Sequence, residues 1–336
     1  MRRLSERERQ AATAAPVLVA PDSFKGTFTA AEVGAAIGRG LRAAGLPVDL
    51  CPVADGGEGT LAVLSAALGA ALRTVAASDP LGRPVTVSFA LAGDVAIIET
   101  AAASGLQLVG LHERDAVAAS TAGTGELILA AFDAGARTIE LGVGGSATTD
   151  GGIGAVGVIE RAGGLRGARL IVLCDVRTPF EQAAEVFGAQ KGARPTEIAM
   201  LTRRLNTLAS TLPRDPRGVP MTGAAGGLSG GLWAAFGAEL VAGAGFVLDA
   251  VGFDARAAAA RAVLTGEGRL DRQSLDGKLV SEVAARARRA GTPCHAVVGT
   301  LALDRVEARE LGLSEVVEAS TLPALEHAGR RLAEII

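Results

Sequence analysis

Apolar positions alternate along the chain between two textures. Short unbroken runs such as Val17 to Ala20 read as strands buried on both faces, because no polar position interrupts them. The box Thr29-Ala-Ala-Glu32 opens a helix that runs to about Ala44 and stops at Gly45. Val48 to Val53 predicts a second strand. It is followed by Ala54-Asp-Gly-Gly-Glu-Gly-Thr60 and a helix over Thr60 to Leu68. A β-loop-α-β-loop-α order predicts a parallel sheet with its ligand at the carboxyl ends of the strands. Asp22, Ser23, Lys25, Asp55 and Glu58 are therefore expected in one crevice.

The texture then changes. Thr86 to Leu91 and Val95 to Thr100, joined at Ala92-Gly-Asp94, predict an antiparallel hairpin and the entry to a second domain. That domain continues through the helix after Gly123-Thr-Gly-Glu126, the strands Thr138 to Val143 and Arg169 to Cys174, and a long helix over Thr196 to Thr211. The strand Ala262 to Thr265, the helix Leu279 to Ala290, the strand Cys294 to Val298 and a last helix from Leu322 restore the first rhythm. Both chain ends thus form one domain around an inserted one, and 336 residues suit two cores.

Composition narrows the chemistry. Hydrophobic residues are 49% and charged residues 21%, with a net charge of −3 and no basic block. Nucleic acid and anionic membrane are excluded as main partners, and nine Phe, one Trp and no Tyr leave no base-stacking platform. Cys51, Cys174 and Cys294 lack metal or redox spacing and read as buried thiols of a reducing cytoplasm. The first fifteen residues read as a disordered extension, since Ala11 to Ala20 runs into Pro21 and Asp22 without the core of a signal peptide. No run approaches the ~20 apolar residues of a membrane span.

One loop stands out. Residues 142 to 154 set six glycines around Ser146, Thr148, Thr149 and Asp150, directly after a strand. So many glycines let backbone approach a ligand or take positive φ, and the expectation is a loop that wraps an anion with Asp150 as its acidic contact. The lysines point the same way. Of 33 basic residues only Lys25, Lys191 and Lys278 are lysine, and each touches a glycine. A compact ammonium beside open backbone N–H groups holds phosphate well.

The familiar phosphate frames are absent. Gly142-Val-Gly-Gly-Ser-Ala147 fits a dinucleotide fingerprint, but Thr148 to Gly152 is a poor helix start and no acidic residue follows at the required distance. Gly277-Lys278 is followed by Leu279, so there is no Walker loop. The His-Arg-Asp and Asp-Phe-Gly sets of protein kinases and the Gly-x-Ser-x-Gly elbow of hydrolases are also missing.

Ala20-Pro-Asp-Ser-Phe-Lys-Gly26, Pro52-Val-Ala-Asp-Gly-Gly-Glu-Gly-Thr60, Thr121-Ala-Gly-Thr-Gly-Glu126 and Gly144-Gly-Ser-Ala-Thr-Thr-Asp-Gly-Gly152 instead resemble signatures of the type I glycerate kinase family. Cys174-Asp-Val176, Gln190-Lys-Gly-Ala193, Gly223-Ala-Ala-Gly-Gly227, Thr265-Gly-Glu-Gly-Arg-Leu-Asp271 with Gln273, and Gly277-Lys278 continue the series in family order. The resemblance implies ATP-dependent phosphorylation of D-glycerate, with Mg²⁺ and 2-phosphoglycerate as the favoured product. It implies two three-layer α/β domains with the active site in a cleft between them. One, flavodoxin-like or Rossmann-like, has a parallel sheet built from residues 16–76 and 262–336. The other is an inserted mixed-sheet α/β domain over 77–261. Lys25, Asp55, Asp150 and Lys191 are the expected catalytic residues. Asp22, Ser23, Gly56, Gly57 and Glu58 are expected on the hydroxy acid. Gly144, Gly145, Ser146, Thr148, Gly266, Glu267, Gly268 and Lys278 are expected on the nucleotide, and Asp175 and Asp271 on the metal. The sequence does not say which carboxylate is the base, nor does it give the oligomeric state.

Two departures favour an alternative, a kinase of another small hydroxy acid on the same scaffold. Only Ala155 to Leu173 separates the glycine loop from Cys174, where relatives carry more, and Arg177-Thr-Pro-Phe-Glu-Gln-Ala-Ala184 replaces the usual segment after Cys-Asp-Val. A catalytically weak ligand-binding relative is the third reading. The retained lysines and acidic residues weigh against it.

Overall fold

The structure is a computed structural model and describes residues 15–272 and 279–336. The expected extension, apart from its last residue, and Gln273, Gly277 and Lys278 lie outside the described residues. In chain order the strands are β1 Val17–Pro21, β2 Val48–Leu50, β3 Ala71–Ser78, β4 Pro84–Ala92, β5 Val95–Glu99, β6 Thr138–Gly142, β7 Arg169–Leu173, β8 Glu239–Val241, β9 Ala262–Gly266, β10 Arg269–Leu270, β11 Cys294–Val298, β12 Thr300–Leu301 and β13 Leu313–Glu318. The principal helices are α1 Ala30–Ala43, α2 Thr60–Leu68, α3 Ala122–Asp133, α4 Ile153–Arg161, α5 Pro195–Ala209, α6 Leu228–Phe236, α7 Leu279–Arg289 and α8 Leu322–Ala333.

The chain divides into two compact units. One holds the residues up to Asp55 together with Val247–Ile336, and the other is Gly56–Phe246. The first is built on a five-stranded, all-parallel sheet in the order β13-β11-β9-β1-β2, so both chain ends do share it. Val17 and Val19 join Leu264, Val297 and Val317 in a core capped by Val33, Ile37 and Leu41 of α1 and Leu325 and Leu332 of α8. These helices cross closely: a Cβ on Gly40 would lie 2.0 Å from the Glu326 carbonyl. Thr29 closes its capping box with Glu32 as the sequence foretold.

The second unit carries a six-stranded mixed sheet, β3-β4-β5-β6-β7-β8. The hairpin β4–β5 is antiparallel as expected, and β5 through β8 are parallel. Its core gathers Phe89, Ile98, Leu127, Ile139, Val156, Val172 and Leu232.

The divisions fall at 55/56 and 246/247, whereas the sequence reading put them at 76/77 and 261/262. The first shifts because α2, taken as part of the opening βαβα rhythm, packs on β4 and β5. The strand after it, β3, was not foreseen and pairs antiparallel with β4. The second shifts because Arg256 reaches back to Asp49, its Nε and Nη2 donating at 2.9 and 2.6 Å. Strand β2 also ends at Leu50, not at Val53, although the Val53 N–H still donates to the Pro21 carbonyl at 3.1 Å. The Gly123-Thr-Gly-Glu126 motif lies inside the first turns of α3 instead of preceding it.

Candidate active site

Strand order in the first sheet locates a pocket. From β1 the chain moves to β2 on one side, while β9, β11 and β13 proceed on the other. The topological switch point of this sheet therefore lies between β1 and β9, where an open parallel sheet leaves a crevice at its carboxyl edge. The two strand ends are tied there by the Asp22 N–H, which donates to the Gly266 carbonyl at 2.8 Å. A cavity of about 460 Å³ opens at this edge, a size that suits a small ligand. Its walls include Asp22, Ser23 and Lys25 after β1, Asp55 after β2, and Glu267, Gly268 and Asp271 after β9. Of the expected crevice set, four residues converge. Glu58 lies in the other unit and is exposed. Glu267 and Gly268, expected on the nucleotide, and Asp271, expected on the metal, line this same cavity.

Thr27, Gly299, Thr300 and Ser320 also line the cavity, and no sequence motif points to them. Gly299 and Thr300 follow the predicted strand Cys294 to Val298, so the strand-end rule alone would have found them. Ser320 follows β13, a strand not foreseen.

Among the described residues the cavity crowds carboxylates around one ammonium. Lys25 Nζ lies 2.8 Å from Asp55 Oδ2. Burial pulls the Lys25 amine down, but Asp55, Asp22 and Glu267 together hold it above the ordinary lysine value. Burial, reinforced by the Asp55 carboxylate, pushes Asp22 well above the carboxylate range. Lys25 and the Ser23 N–H, 2.7 Å from Asp22 Oδ1, oppose it only in part. Ser23 is 5% exposed and its Oγ has no hydrogen-bond partner among the described residues. Asp271 is paired with Arg269 at 3.3 Å.

In the second unit the glycine loop follows β6. Where Gly142 and Gly144 lack a Cβ, the Gly56-Gly57 backbone crosses: a Cβ on Gly142 would meet the Gly56 carbonyl at 2.6 Å, and one on Gly144 the Gly57 Cα at 2.5 Å. Gly56 itself has φ +89° and lies over the Leu173 carbonyl. Their glycine character is thus explained by backbone packing within this unit.

The loop is closed along most of its length. Ser146, Thr148 and Thr149 are buried, and Asp150 is 3% exposed. The Asp150 carboxylate accepts from Thr121 N and Oγ1 at 2.9 and 2.8 Å, from Gly152 N at 3.0 Å and from Gly154 N at 3.2 Å. Asp150 thereby fastens the start of α3 to the start of α4, an N-terminal duty that suits an anion. Gly144 and Gly145, and Ile153 and Gly154 at the far end, are the positions that are at least partly open. Lys191 is buried too, and its Nζ donates to the Thr148 carbonyl at 2.5 Å. Burial lowers its amine to about 7, against the raising influence of Asp150.

The metal pair is not brought together within either unit, because Asp175 lies in the second and Asp271 in the first. Asp175 accepts the Ala244 N–H at 3.1 Å. Among the described residues no group of three His, Cys, Asp or Glu side chains is arranged to hold a metal. Glu126 accepts from Ser78 N and Oγ at 2.6 and 3.1 Å and so fastens the end of β3. In the remodelled segment after Cys174, Phe180 is fully buried, its ring where Cβ atoms on Gly151 and Gly227 would stand. All three cysteines are free and buried, and burial pushes Cys51 up to about 11 and Cys174 and Cys294 up to about 12. No described helix is long and apolar enough to cross a membrane.

Comparison with known proteins agrees with the motif series. The glycerate kinase family model matches residues 17–161 and 160–334. A glycerate kinase of Halalkalibacterium halodurans is 39% identical over 85% of this chain and 85% of its own length. The glycerate 2-kinase of Escherichia coli is 36% identical over 91% and 90%. A crystal structure from Salmonella typhimurium LT2, assigned as glycerate kinase 2, superposes with a TM-score of 0.81 at 33% identity, covering 96% of this chain and 98% of that one. These relatives do not favour the two alternative readings. The chain belongs to the glycerate kinase family.

Proposed function

We propose that the protein transfers the terminal phosphoryl group of ATP to a hydroxyl of D-glycerate, with 2-phosphoglycerate as product. The observation that carries the site assignment is the cavity at the β1/β9 switch point, which gathers Asp22, Lys25, Asp55 and Glu267 from three separate family motifs. The name of the Escherichia coli relative supports the 2-hydroxyl as acceptor.

Phosphoryl transfer asks a protein for positioning, charge neutralisation and a proton acceptor. Asp22 is assigned the last duty. Its raised affinity for a proton suits a base working near neutral pH. The substrate oxygen attacks the γ-phosphorus as its proton passes to the Asp22 carboxylate, the bond from phosphorus to the bridging oxygen breaks, and ADP leaves. Lys25, held on Asp55, supplies fixed positive charge to anionic oxygens. The N–H groups of Gly144 and Gly145, at the end of β6, donate to no protein acceptor among the described residues and are assigned to phosphate oxygens.

Mg²⁺ fits the donor set of the first unit. A cavity walled by Asp22, Asp55, Glu267 and Asp271 repels polyanions unless a cation accompanies them, and Mg²⁺ takes one or two carboxylates, completing its shell with phosphate and water. Asp271 and Glu267 are assigned to hold it, and it would neutralise charge on the phosphates. The three free, buried thiols support a reducing cytoplasmic setting.

The test is ADP release with Mg·ATP across D-glycerate, L-glycerate, glycolate, lactate and tartrate, followed by NMR of the product. Turnover confined to D-glycerate with a 2-phosphate signal is the expected result. Faster turnover of another acid would move the assignment to the alternative substrate class.

A further inference from the structure

Lys191 is tied to the glycine loop at Thr148, shortly after the open positions Gly144 and Gly145. It ends a single turn, Ala189–Lys191, is 3% exposed, and gives its Nζ to the Thr148 carbonyl at 2.5 Å. The turn is held in place by Arg114, whose Nη1 donates to the Gln190 carbonyl at 3.2 Å and whose backbone fills the space where a Gly192 Cβ would stand. The same Thr148–Thr149 backbone is pressed by Gly226, where a Cβ would lie 2.0 Å from the Thr148 carbonyl. Asp150, two residues further on, fixes the other end of the loop through its four hydrogen bonds.

We propose that Lys191 is a positioning residue: it anchors the Thr148 carbonyl so that the Gly144 and Gly145 N–H groups stay presented to an anionic substrate group, and it never touches the reactants. This rests on the reading of Gly144–Gly145 as phosphate donors. It also explains a lysine in a chain whose basic residues are mostly arginine. One carbonyl needs one compact donor, whereas a guanidinium would bury several further N–H groups without acceptors.

Three measurements test it, and two of them do not depend on turnover. In Lys191→Met the amides of 144–152 should exchange at least about tenfold faster, local opening having become easier. In the same variant kcat should fall about 10²-fold, the scale of a small misplacement at a reacting centre, with KM changing much less. Lys191→Gln, which keeps an N–H donor, should recover part of both. Loss of kcat with native exchange would overturn the proposal, and so would native behaviour in both measurements. The third measurement uses the wild-type chain, whose three lysines make acylation sites easy to map by mass spectrometry. Lys191 should stay unmodified with or without Mg·ATP. Modification that Mg·ATP suppresses would place Lys191 on the substrate and sink the idea. If turnover is absent while exchange still responds to Lys191→Met, the phosphoryl-transfer reading fails and the anchoring stands.

Discussion

Lys25 Nζ stands 2.8 Å from Asp55 Oδ2, bridging the loops that follow two neighbouring parallel strands. The Lys25 side chain is 57% exposed, so the pair adds little to stability, within about 1 kcal/mol once solvent screening is counted. Its value is to hold a cation in a cavity of carboxylates. Lys25→Met should therefore leave the melting temperature nearly unchanged while kcat/KM falls about 10²- to 10³-fold, the scale of losing one electrostatic contact to the transition state. Steady-state kinetics beside a thermal melt checks this, and equal activity in the variant would remove Lys25 from the site.

Asp22 predicts a trade between stability and activity. Its folded-state affinity for protons is raised, so the native state binds more protons than the unfolded chain once pH exceeds the ordinary Asp value. Stability is then lost as pH climbs through that window and stays lost above it. Asp22→Asn should be more stable than wild type at pH 7 to 8 and nearly inactive. Denaturant titrations at pH 5 and pH 8 should show the stability gain growing with pH; a gain that shrinks contradicts the assignment.

Lys191 gives the opposite slope. Its amine sits at about 7 when folded and at the ordinary lysine value of 10.5 when unfolded. Between these values the unfolded chain carries a proton that the native state lacks, so this residue favours folding more as pH rises, by up to about 1.4 kcal/mol per pH unit. Measured by chemical denaturation at pH 7, 8 and 9, the stability of wild type minus that of Lys191→Met should climb. A flat difference rejects the buried-amine description.

Gly226 tests the packing above the anchor. It has φ +67° and its absent Cβ leaves room for the Thr148 carbonyl. Gly226→Ala combines a strained backbone with a steric clash and should cost about 1–3 kcal/mol. Activity per folded molecule should fall as well, because the same carbonyl would shift off Lys191. Full activity in a destabilised variant would separate this contact from the loop's duty.

Strand and helix rhythm was legible where a buried strand opens on an apolar run, as at Val17, and where a helix announces its own cap, as at Thr29. Val17 to Ala20, the Thr29 box and Thr60 to Leu68 needed no tertiary information. The convergence of Asp22, Ser23, Lys25 and Asp55 followed from parallel topology, since every such strand delivers its loop to the same edge. The partner of each element was another matter. Helix Thr60–Leu68 carries an apolar surface that suits either sheet, and only pairing of Ala71–Ser78 with Pro84–Ala92 assigns it to the inserted unit. The charges were ambiguous for the same reason. Asp55 and Asp150 each precede glycine and read alike, yet one faces a cavity beside an ammonium while the other is consumed by two helix starts. Residue type and spacing determine which chemistry a chain can offer; burial and hydrogen-bond partners, which only the tertiary structure decides, determine which carboxylates and lysines remain available to perform it.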